Sequence, residues 1–503
     1  MRSLSRARSR VGDVLTGDAL RAKVMRGGAW LGTGSVAEQA VRFGRNMILA
    51  RLLVPGAFGT MAIVLSSAAV VNTLTDIGER GAIIQNPRGD EQAYFNASWW
   101  MGFGRALLSY FVIFSVAPWI AHFYGRPELS GLLRVALLGV LFNAAMSPRG
   151  IVVQRQMKLG RWAAITNGGG ISGVIITVVL SFFMRDVWAL AIGYCTEDFS
   201  RFVLSYILCP GAPKLRIDLH AARELLSFSR GIFGLAPLNL IIARADIFVL
   251  GRLCSLSALG LYSLAISLVV TPSVFITNML GQTLMPALSS IQDDSYRMNR
   301  ILLEVTSWLL LLGMPTALFI SLSAPSLLKL AYGPRYTAAA GPLSVAAFAV
   351  LLTILNAVPT TVLFARGRPG LHRQGVIVTA VVMLVAIYPA SRSWGPTGAQ
   401  VAALVSVAVG FVYQVILLRA VTGLSVLRYG SAFVAPSAAS AAVLGVMLGT
   451  HRLGLVMRPS ADVALCIVSC LIASGLCASA HLRALKKHKS FYNQKPRESA
   501  VAL

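Results

Sequence analysis

The stretch NLIIARADIFVLGRLCSLSALGLYSLA, from Asn239 to Ala265, indicates how this chain is organised. Its first half is apolar over a length that suits a membrane-spanning helix, and a second apolar helix begins after a turn near Arg252. Arg244 and Asp246 lie inside the apolar run, where an unpaired charge costs at least about 2.5 kcal/mol. The stretch therefore predicts a membrane protein that holds charged side chains in its interior.

Part of this stretch repeats an earlier one. RLLVPGAFG (Arg51 to Gly59) and RLCSLSALG (Arg252 to Gly260) share their first two residues, an alanine at the seventh position and a glycine at the ninth. The offset between them is 201 residues throughout. Two lobes built from one repeat are typical of a transporter with a binding site between the lobes.

The composition places the whole chain in the membrane. Of its 503 residues, 56% are hydrophobic and only 13% are charged, against about 25% charged in soluble domains. The net charge is +26, and we interpret the excess as loops and tails that face anionic lipid, with no nucleic-acid partner. The six cysteines form no CxxC pair, and the histidines show no ligand spacing, so we expect free thiols, no metal site and no cofactor.

About fourteen transmembrane helices are predicted by hydropathy, which gives an all-α integral membrane fold. The predicted spans are 27–49, 57–77, 97–120, 130–148, 162–184, 187–208, 231–250, 257–283, 301–323, 338–364, 374–390, 396–418, 431–450 and 461–480. We group them into two pseudo-symmetric six-helix lobes and two further helices. The predicted segments are a basic tail (1–26), the N-lobe (27–208), an amphipathic linker (209–230), the C-lobe (231–420), spans 13 and 14 (421–480) and a second basic tail (481–503).

The distribution of Lys and Arg sets the predicted orientation. With the N-terminus inside, inner segments hold thirty of these residues and outer loops hold nine. Positive charge favours the cytoplasmic side, so we expect both termini in the cytoplasm. In the linker, Asp218 is the expected N-cap of a helix that lies on the inner membrane face.

Charged residues on the first predicted span share one face. Glu38, Arg42 and Arg45 are spaced at i, i+4 and i+7, so a helix brings them to the same side. The repeat offset sets Arg45 against Asp246, and it sets Glu38 against Asn239. We expect these residues to face a cavity between the lobes that keeps a net positive charge for an anion. The predicted cavity residues are Glu38, Gln39, Arg42, Arg45, Asn46, Asn239 and Asp246.

Further charges form a second cluster or flank the spans. The predicted gate and second-cluster residues are Asp76, Arg80, Glu197, Asp198, Arg201 and Arg244. Arg244 is rotated about 200° from Asp246 on a helix, so it faces a neighbouring helix instead of the cavity. The alternative for both clusters is that the charges only hold helices together.

No motif for ATP hydrolysis or cofactor binding is found. The chain lacks GxxxxGK[ST], and the match of Gly168 to Gly173 with GxGxxG opens a membrane span instead of following a strand. Glycines at this position favour close helix packing.

Several segments of the chain resemble Wzx-type polysaccharide flippases, in particular the exopolysaccharide exporter branch of the multidrug/oligosaccharidyl-lipid/polysaccharide exporter superfamily. The segments are ARLLVPGAFGTMAIV (50–64), TDIGERGAIIQ (75–85), FNASWW (95–100), IAHFYGRPEL (120–129), RADIFVLGRLCSLSALGLYSLA (244–265), MPALSSIQDD (285–294) and LAYGPRYTAAAGPL (330–343). The resemblance covers roughly 30–420 and does not extend beyond Val421.

The resemblance implies a transporter in the bacterial inner membrane that is not an enzyme. It implies alternating access by two six-helix lobes, with an undecaprenyl-diphosphate-linked oligosaccharide as substrate, for exopolysaccharide biosynthesis. Partners would be membrane lipids and a polysaccharide polymerase and co-polymerase, and we expect a monomer. The alternatives are a cation-coupled drug exporter of the same superfamily, a lipid II flippase, or a membrane polysaccharide polymerase or ligase. An acidic cavity would favour the drug exporter, and a large outer loop would favour the polymerase.

Overall fold

The fold was obtained as a computed structural model. It describes residues 37–76, 83, 88, 91–150, 153, 159–214, 218–229, 235–434 and, with gaps, 436–445. The second predicted span from the C-terminus lies at the edge of these ranges, and the last span and both basic tails lie outside them.

Helices dominate the described residues. In chain order they are α1 (37–52), α2 (Pro55–Thr75), α3 (Gln92–Tyr124), α4 (Glu128–Ala144), α5 (Leu159–Met184), α6 (Val187–Leu208), α7 (Leu219–Ser229), α8 (Leu235–Leu253), α9 (Leu256–Ser289), α10 (Ser295–Leu322), α11 (Ala324–Ala331), α12 (Ala340–Ala365), α13 (Pro369–Thr422) and α14 (Val426–Gly430). The all-helical membrane fold expected from the sequence is confirmed.

Local chemistry explains where several helices begin and end. Pro55 and Pro369 occupy the first turns of α2 and α13, where a missing N–H costs nothing. The Asp294 carboxylate accepts from the Arg297 N–H at 3.0 Å at the start of α10. Gly125 ends α3 with φ of 64°, a left-handed conformation that a glycine adopts without strain.

Helix α13 covers two predicted spans and has a kink between them. Its 54 residues contain one non-helical residue, Gly395, with φ of 56° and ψ of −137°. This residue lies at a kink that divides α13 into two helices, which correspond to the predicted spans 374–390 and 396–418. A positive φ favours glycine, so the break in the helix occurs at this single glycine.

The linker helix predicted between residues 209 and 230 is α7. Asp218 caps it by accepting from the N–H groups of His220 at 2.8 Å and Ala221 at 3.2 Å, as predicted. Its apolar face packs on the start of α3, with Leu225 buried beside Tyr94. The placement of α7 on the inner membrane face stays a prediction.

The chain divides into two compact units. Unit 1 holds Met1–Leu240 and Ser255–Gly260, and unit 2 holds Ile241–Cys254 and Leu261–Leu503. In unit 1, α5 packs along α6, and α4 packs on both α3 and α6. In unit 2, α12 packs along α13 and α10 over a core that includes Leu302, Leu355 and Phe411. The predicted lobe boundaries are not tested by this division.

Two glycines from the sequence repeat are in close contact within unit 1. A β-carbon on Gly59 of α2 would lie 2.1 Å from the Leu256 carbonyl oxygen in the first turn of α9. A β-carbon on Gly260 would lie 1.7 Å from the Pro55 carbonyl oxygen. The backbones therefore approach closely only because both positions are glycine.

Large apolar side chains are exposed along the helices, as lipid contact requires. Trp119, Phe183 and Val385 are exposed by 78%, 82% and 72%. Seven of the described helices are long and apolar enough to cross a bilayer. Helix α6 is not among them, because its central turns carry three charged residues.

Candidate functional site

A charged network in unit 1 has Arg42 at its centre. On α1, the Arg42 guanidinium donates to Glu38 Oε1 from Nε at 2.9 Å and from Nη2 at 2.8 Å. Nη2 also forms an ion pair with Glu197 of α6. The structure thus joins the two charged groups that the sequence analysis kept apart.

The α6 side of the network is also paired. Arg201 donates to Glu197 Oε1 at 2.6 Å and to Asp198 Oδ1 at 3.2 Å. The Asn143 amide of α4 donates to the same Asp198 oxygen at 3.2 Å. Because Glu197 and Asp198 are buried, these donors replace the water that each carboxylate gives up.

A glycine face on α5 makes room for the network. A β-carbon on Gly170 would lie 2.6 Å from Glu38 Oε1, and one on Gly173 would lie 2.5 Å from the Glu197 β-carbon. The prediction that these glycines serve close helix packing is confirmed. The side chains they admit are the carboxylates of the network.

Arg45 differs from the other arginines of the network. It follows Arg42 by one turn of α1, and its guanidinium donates to Asn46 Oδ1 at 3.3 and 3.2 Å. No carboxylate lies within ion-pair distance of Arg45 among the residues that the structure describes. The network contains three arginines and three carboxylates, so its formal net charge is zero. Because the carboxylates pair with Arg42 and Arg201, the positive charge of Arg45 has no neighbouring negative charge.

Two more predicted cavity residues differ in their surroundings. Gln39 of α1 has a buried Oε1 atom without a hydrogen-bond partner in the described part of the chain. Asn239 of α8 is exposed. The structure therefore brings Gln39 to the same helix turns as the network, and it leaves Asn239 accessible.

A second polar group lies within unit 2 around Asp246. Tyr262 of α9 donates its hydroxyl to Asp246 Oδ2 at 2.5 Å, and Gln400 of α13 donates to the Tyr262 oxygen at 2.5 Å. The backbone N–H of Ile247 donates to Asp246 Oδ1 at 2.8 Å. Neutral donors thus satisfy this carboxylate, and no basic side chain is within ion-pair distance in the described ranges.

Tyr262 and Gln400 were not predicted from the sequence. Tyr262 belongs to the quoted stretch, 16 residues after Asp246, but a lone tyrosine in an apolar helix gives no signal. Gln400 is 138 residues from Tyr262, and only the fold brings them together.

Three predicted gate and cluster residues remain, namely Arg244, Asp76 and Arg80. Arg244 is exposed while Asp246 is half-buried, in agreement with their predicted rotation on the helix. Asp76 is exposed at the end of α2, and Arg80 lies outside the described residues. Neither observation tests a gate.

The arrangement suits binding of an anion better than bond-making chemistry. A guanidinium without an acidic partner can offer paired N–H donors to a phosphate. In the parts of the chain that the structure describes, no three His, Cys, Asp or Glu side chains are grouped to hold a metal ion.

Solved structures with a similar fold are membrane transporters. The structure of the lipid II flippase MurJ in an inward closed conformation matches with a TM-score of 0.74 at 11% identity, covering 90% of this chain and 99% of that chain. The MATE transporter VcmN of Vibrio cholerae matches with a TM-score of 0.51 at 13% identity, covering 82% and 99%. The chain therefore has the multi-pass helical fold of these membrane proteins.

The sequence comparisons give the family. The chain belongs to the polysaccharide biosynthesis protein family, whose model matches residues 48–341. It is 21% identical over 398 residues to the lipopolysaccharide biosynthesis protein WzxC of Escherichia coli (strain K12), covering 78% of each chain. It is 23% identical over 444 residues to the teichuronic acid biosynthesis protein TuaB of Bacillus subtilis (strain 168), covering 86% of this chain and 91% of that one. A further relative, 26% identical over 297 residues and covering 57% of this chain and 58% of its own, is the succinoglycan biosynthesis transport protein ExoT of Rhizobium meliloti (strain 1021).

Proposed function

We propose that this transporter is a flippase that moves undecaprenyl-diphosphate-linked oligosaccharides across the bacterial inner membrane by alternating access. The family supports a role in polysaccharide biosynthesis. The observation that carries the substrate class is Arg45, a half-buried cation on α1 without an acidic partner among the described residues.

The substrate poses a physical problem that Arg45 helps to solve. A sugar–diphosphate head must cross about 30 Å of hydrocarbon, where an isolated anion is strongly disfavoured. A guanidinium can bind the diphosphate through two parallel N–H donors while the lipid tail stays in the bilayer. Since Arg42 and Arg201 are already paired with carboxylates, Arg45 is the arginine of the network that is available for this contact.

The direct test follows the lipid-linked intermediates in a host that carries this chain. We expect deletion of the chain to cause a build-up of an undecaprenyl-diphosphate-linked oligosaccharide at the cytoplasmic face, together with loss of the exported polymer. Mass spectrometry of the lipid fraction identifies the intermediate. Normal polymer export with no such intermediate would contradict the proposal, and rescue of a MurJ-depleted host would assign lipid II instead.

Substitution of Arg45 tests its role within the same host. We expect Arg45→Ala to reduce polymer export at least about tenfold at normal membrane levels, because a buried charge-assisted contact contributes roughly 1.5–3 kcal/mol. Arg45→Lys should restore part of the export, since it keeps the charge and loses the paired donors.

The control for this prediction is Arg297→Ala. Arg297 is exposed and forms a surface ion pair with Asp294 at 3.2 Å, so its removal should leave export unchanged. Full export by Arg45→Ala would remove Arg45 from the substrate site.

A further inference from the structure

Asn46 of α1 is bound to Arg45 in a way that helical spacing does not dictate. Side chains at positions i and i+1 point about 100° apart on a helix and do not face each other. The Arg45 guanidinium nevertheless donates to Asn46 Oδ1 from Nε at 3.3 Å and from Nη2 at 3.2 Å. The guanidinium therefore lies across the surface of α1 towards Asn46, and this contact sets its orientation.

The contact uses one edge of the guanidinium and leaves another edge complete. A guanidinium has five N–H groups in a fixed, planar fork. Nε–H and one N–H of Nη2 form the side edge, and Asn46 binds Arg45 by this edge. The end edge consists of one N–H each from Nη1 and Nη2, and it remains for a ligand. Two parallel N–H donors of this kind match the oxygens of a phosphate.

The end edge of Arg45 is also accessible. Nη1 forms no hydrogen bond with the residues that the structure describes, and it keeps accessible surface. The turn of α1 that carries Arg45 is not tightly packed, since a β-carbon on Gly44 would have no atom within 4 Å. A ligand oxygen can therefore reach Nη1.

Arg42 shows the effect of a charged acceptor at the same edge. Its Nε and Nη2 donate to Glu38 Oε1 at 2.9 and 2.8 Å, so its side edge is bound in the same way. The acceptor there is a carboxylate, which orients the guanidinium and also neutralises its charge. Asn46 provides an uncharged acceptor oxygen instead. Arg45 is therefore oriented and still keeps its full positive charge.

A purely structural role for Asn46 would be to satisfy two N–H groups of a half-buried arginine. An aspartate would fill that role at least as well, because a hydrogen bond between two charged groups is stronger than one to a neutral amide. If Asn46 instead prepares Arg45 for an anion, an aspartate would occupy the arginine and exclude the anion. The two roles thus predict opposite effects of a carboxylate at position 46.

We propose that Asn46 is a positioning residue, which holds Arg45 by its side edge and directs the end edge to the diphosphate of the substrate. The inference rests on the proposed function, because the diphosphate would belong to the lipid-linked oligosaccharide. It adds a requirement for specificity. The acceptor at position 46 has to be neutral, since a carboxylate there would compete with the diphosphate for Arg45.

The test measures binding by the purified full-length chain in nanodiscs of neutral phosphatidylcholine. One probe is undecaprenyl diphosphate, and the other is undecaprenol, which has the same chain without the diphosphate. We expect the wild type to prefer undecaprenyl diphosphate. Asn46→Asp should weaken its binding at least about tenfold and leave undecaprenol binding unchanged, at a melting temperature equal to or above that of the wild type.

Two further variants separate the effect of charge from the effect of shape. Asn46→Ala removes the acceptor without adding a charge, and it should weaken binding of undecaprenyl diphosphate about fivefold, as loss of one neutral hydrogen bond predicts. Gln92→Glu makes the same change from amide to carboxylate at an exposed residue in the first turn of α3. It should bind both probes as the wild type does.

The outcomes separate the positioning role from the proposed function. If the wild type binds neither probe, or binds both equally, the proposed function fails and the positioning role fails with it. If the wild type prefers undecaprenyl diphosphate and Asn46→Asp binds it equally well, the positioning role alone is overturned. Weaker binding together with a lower melting temperature in Asn46→Asp would assign Asn46 a structural role and would also overturn the positioning role.

Discussion

Glu197 is the residue on which the charge balance of unit 1 depends. Its Oε1 atom accepts from Arg201 at 2.6 Å and pairs with Arg42 of another helix. The carboxylate is buried, so each guanidinium relies on it for a large part of its stabilisation. Removing one partner from a buried ion pair costs about 3–5 kcal/mol, because the other charge stays behind.

Replacing Glu197 with glutamine removes the charge that Arg42 and Arg201 share. We expect a loss of roughly 3 kcal/mol in the free energy of unfolding, seen as a lower melting temperature in detergent and a lower membrane level. The double variant Glu197→Gln with Arg42→Gln should recover much of that loss, since it removes charges of both signs. Equal stability of Glu197→Gln and wild type would show that the network does not stabilise the fold.

At the scale of the element, the glycines of α5 leave the space that the charged side chains of α1 and α6 occupy. The β-carbon of an alanine at position 173 would lie 2.5 Å from the Glu197 β-carbon and 3.0 Å from its α-carbon. A backbone atom cannot yield as a flexible side chain does, so α5 and α6 would have to separate.

The prediction for α5 compares two glycines of the same helix. Gly173→Ala should lower the free energy of unfolding by about 1–3 kcal/mol, the usual cost of overpacking, as measured by thermal denaturation of the purified protein. Gly160→Ala is the matched control, because nothing lies within 4 Å of a β-carbon there. Similar melting temperatures for both variants would contradict the close packing of α5 on α6.

The helices themselves were largely predictable, and their contacts were not. Hydropathy places most helices within a few residues, and Asp218 was identified as a cap from its local pattern. In α7 the buried face does not follow from residue type alone, because the apolar Leu219 is 71% exposed, while Ala221 is buried. The contact with α3 sets the buried face of α7, and a stripe of apolar residues does not contain that information.

The candidate site was also predictable only within single helices. Spacing on one helix predicted the pairing of Glu38 with Arg42, which are four residues apart. It could not predict the pairing of Arg42 with Glu197, 155 residues away, because periodicity describes one helix at a time. The structure pairs Arg42 with two carboxylates, so Arg42 is less available to an anion than the sequence suggested. Arg45 remains available.

At the scale of the whole molecule, the orientation in the membrane stays a prediction that rests on the distribution of Lys and Arg. Two exposed loop positions test it in a variant without native cysteines. We expect Arg126→Cys to react with a membrane-impermeant maleimide in spheroplasts, because its loop is predicted to be outside. Asp293→Cys should react only after permeabilisation, and both residues are exposed.

The comparison between these two positions serves as its own control. Each variant should react fully once the membrane is opened, which shows that the thiol is accessible. The reverse pattern would place both termini outside and would overturn the predicted topology, and labelling of both in sealed spheroplasts would remove a span from the predicted set.

The paired glycines at positions 59 and 260 restrict how this chain can evolve. Most packing errors in a protein can be relieved by a smaller residue on the opposite side, but here the opposite side is already glycine and the colliding atoms are carbonyl oxygens. A larger residue at either position thus has no compensating substitution at its counterpart. We infer that genetic reversion of such a change would restore the original glycine or act at a distance, and that both copies of the sequence repeat need the same amino acid at this position.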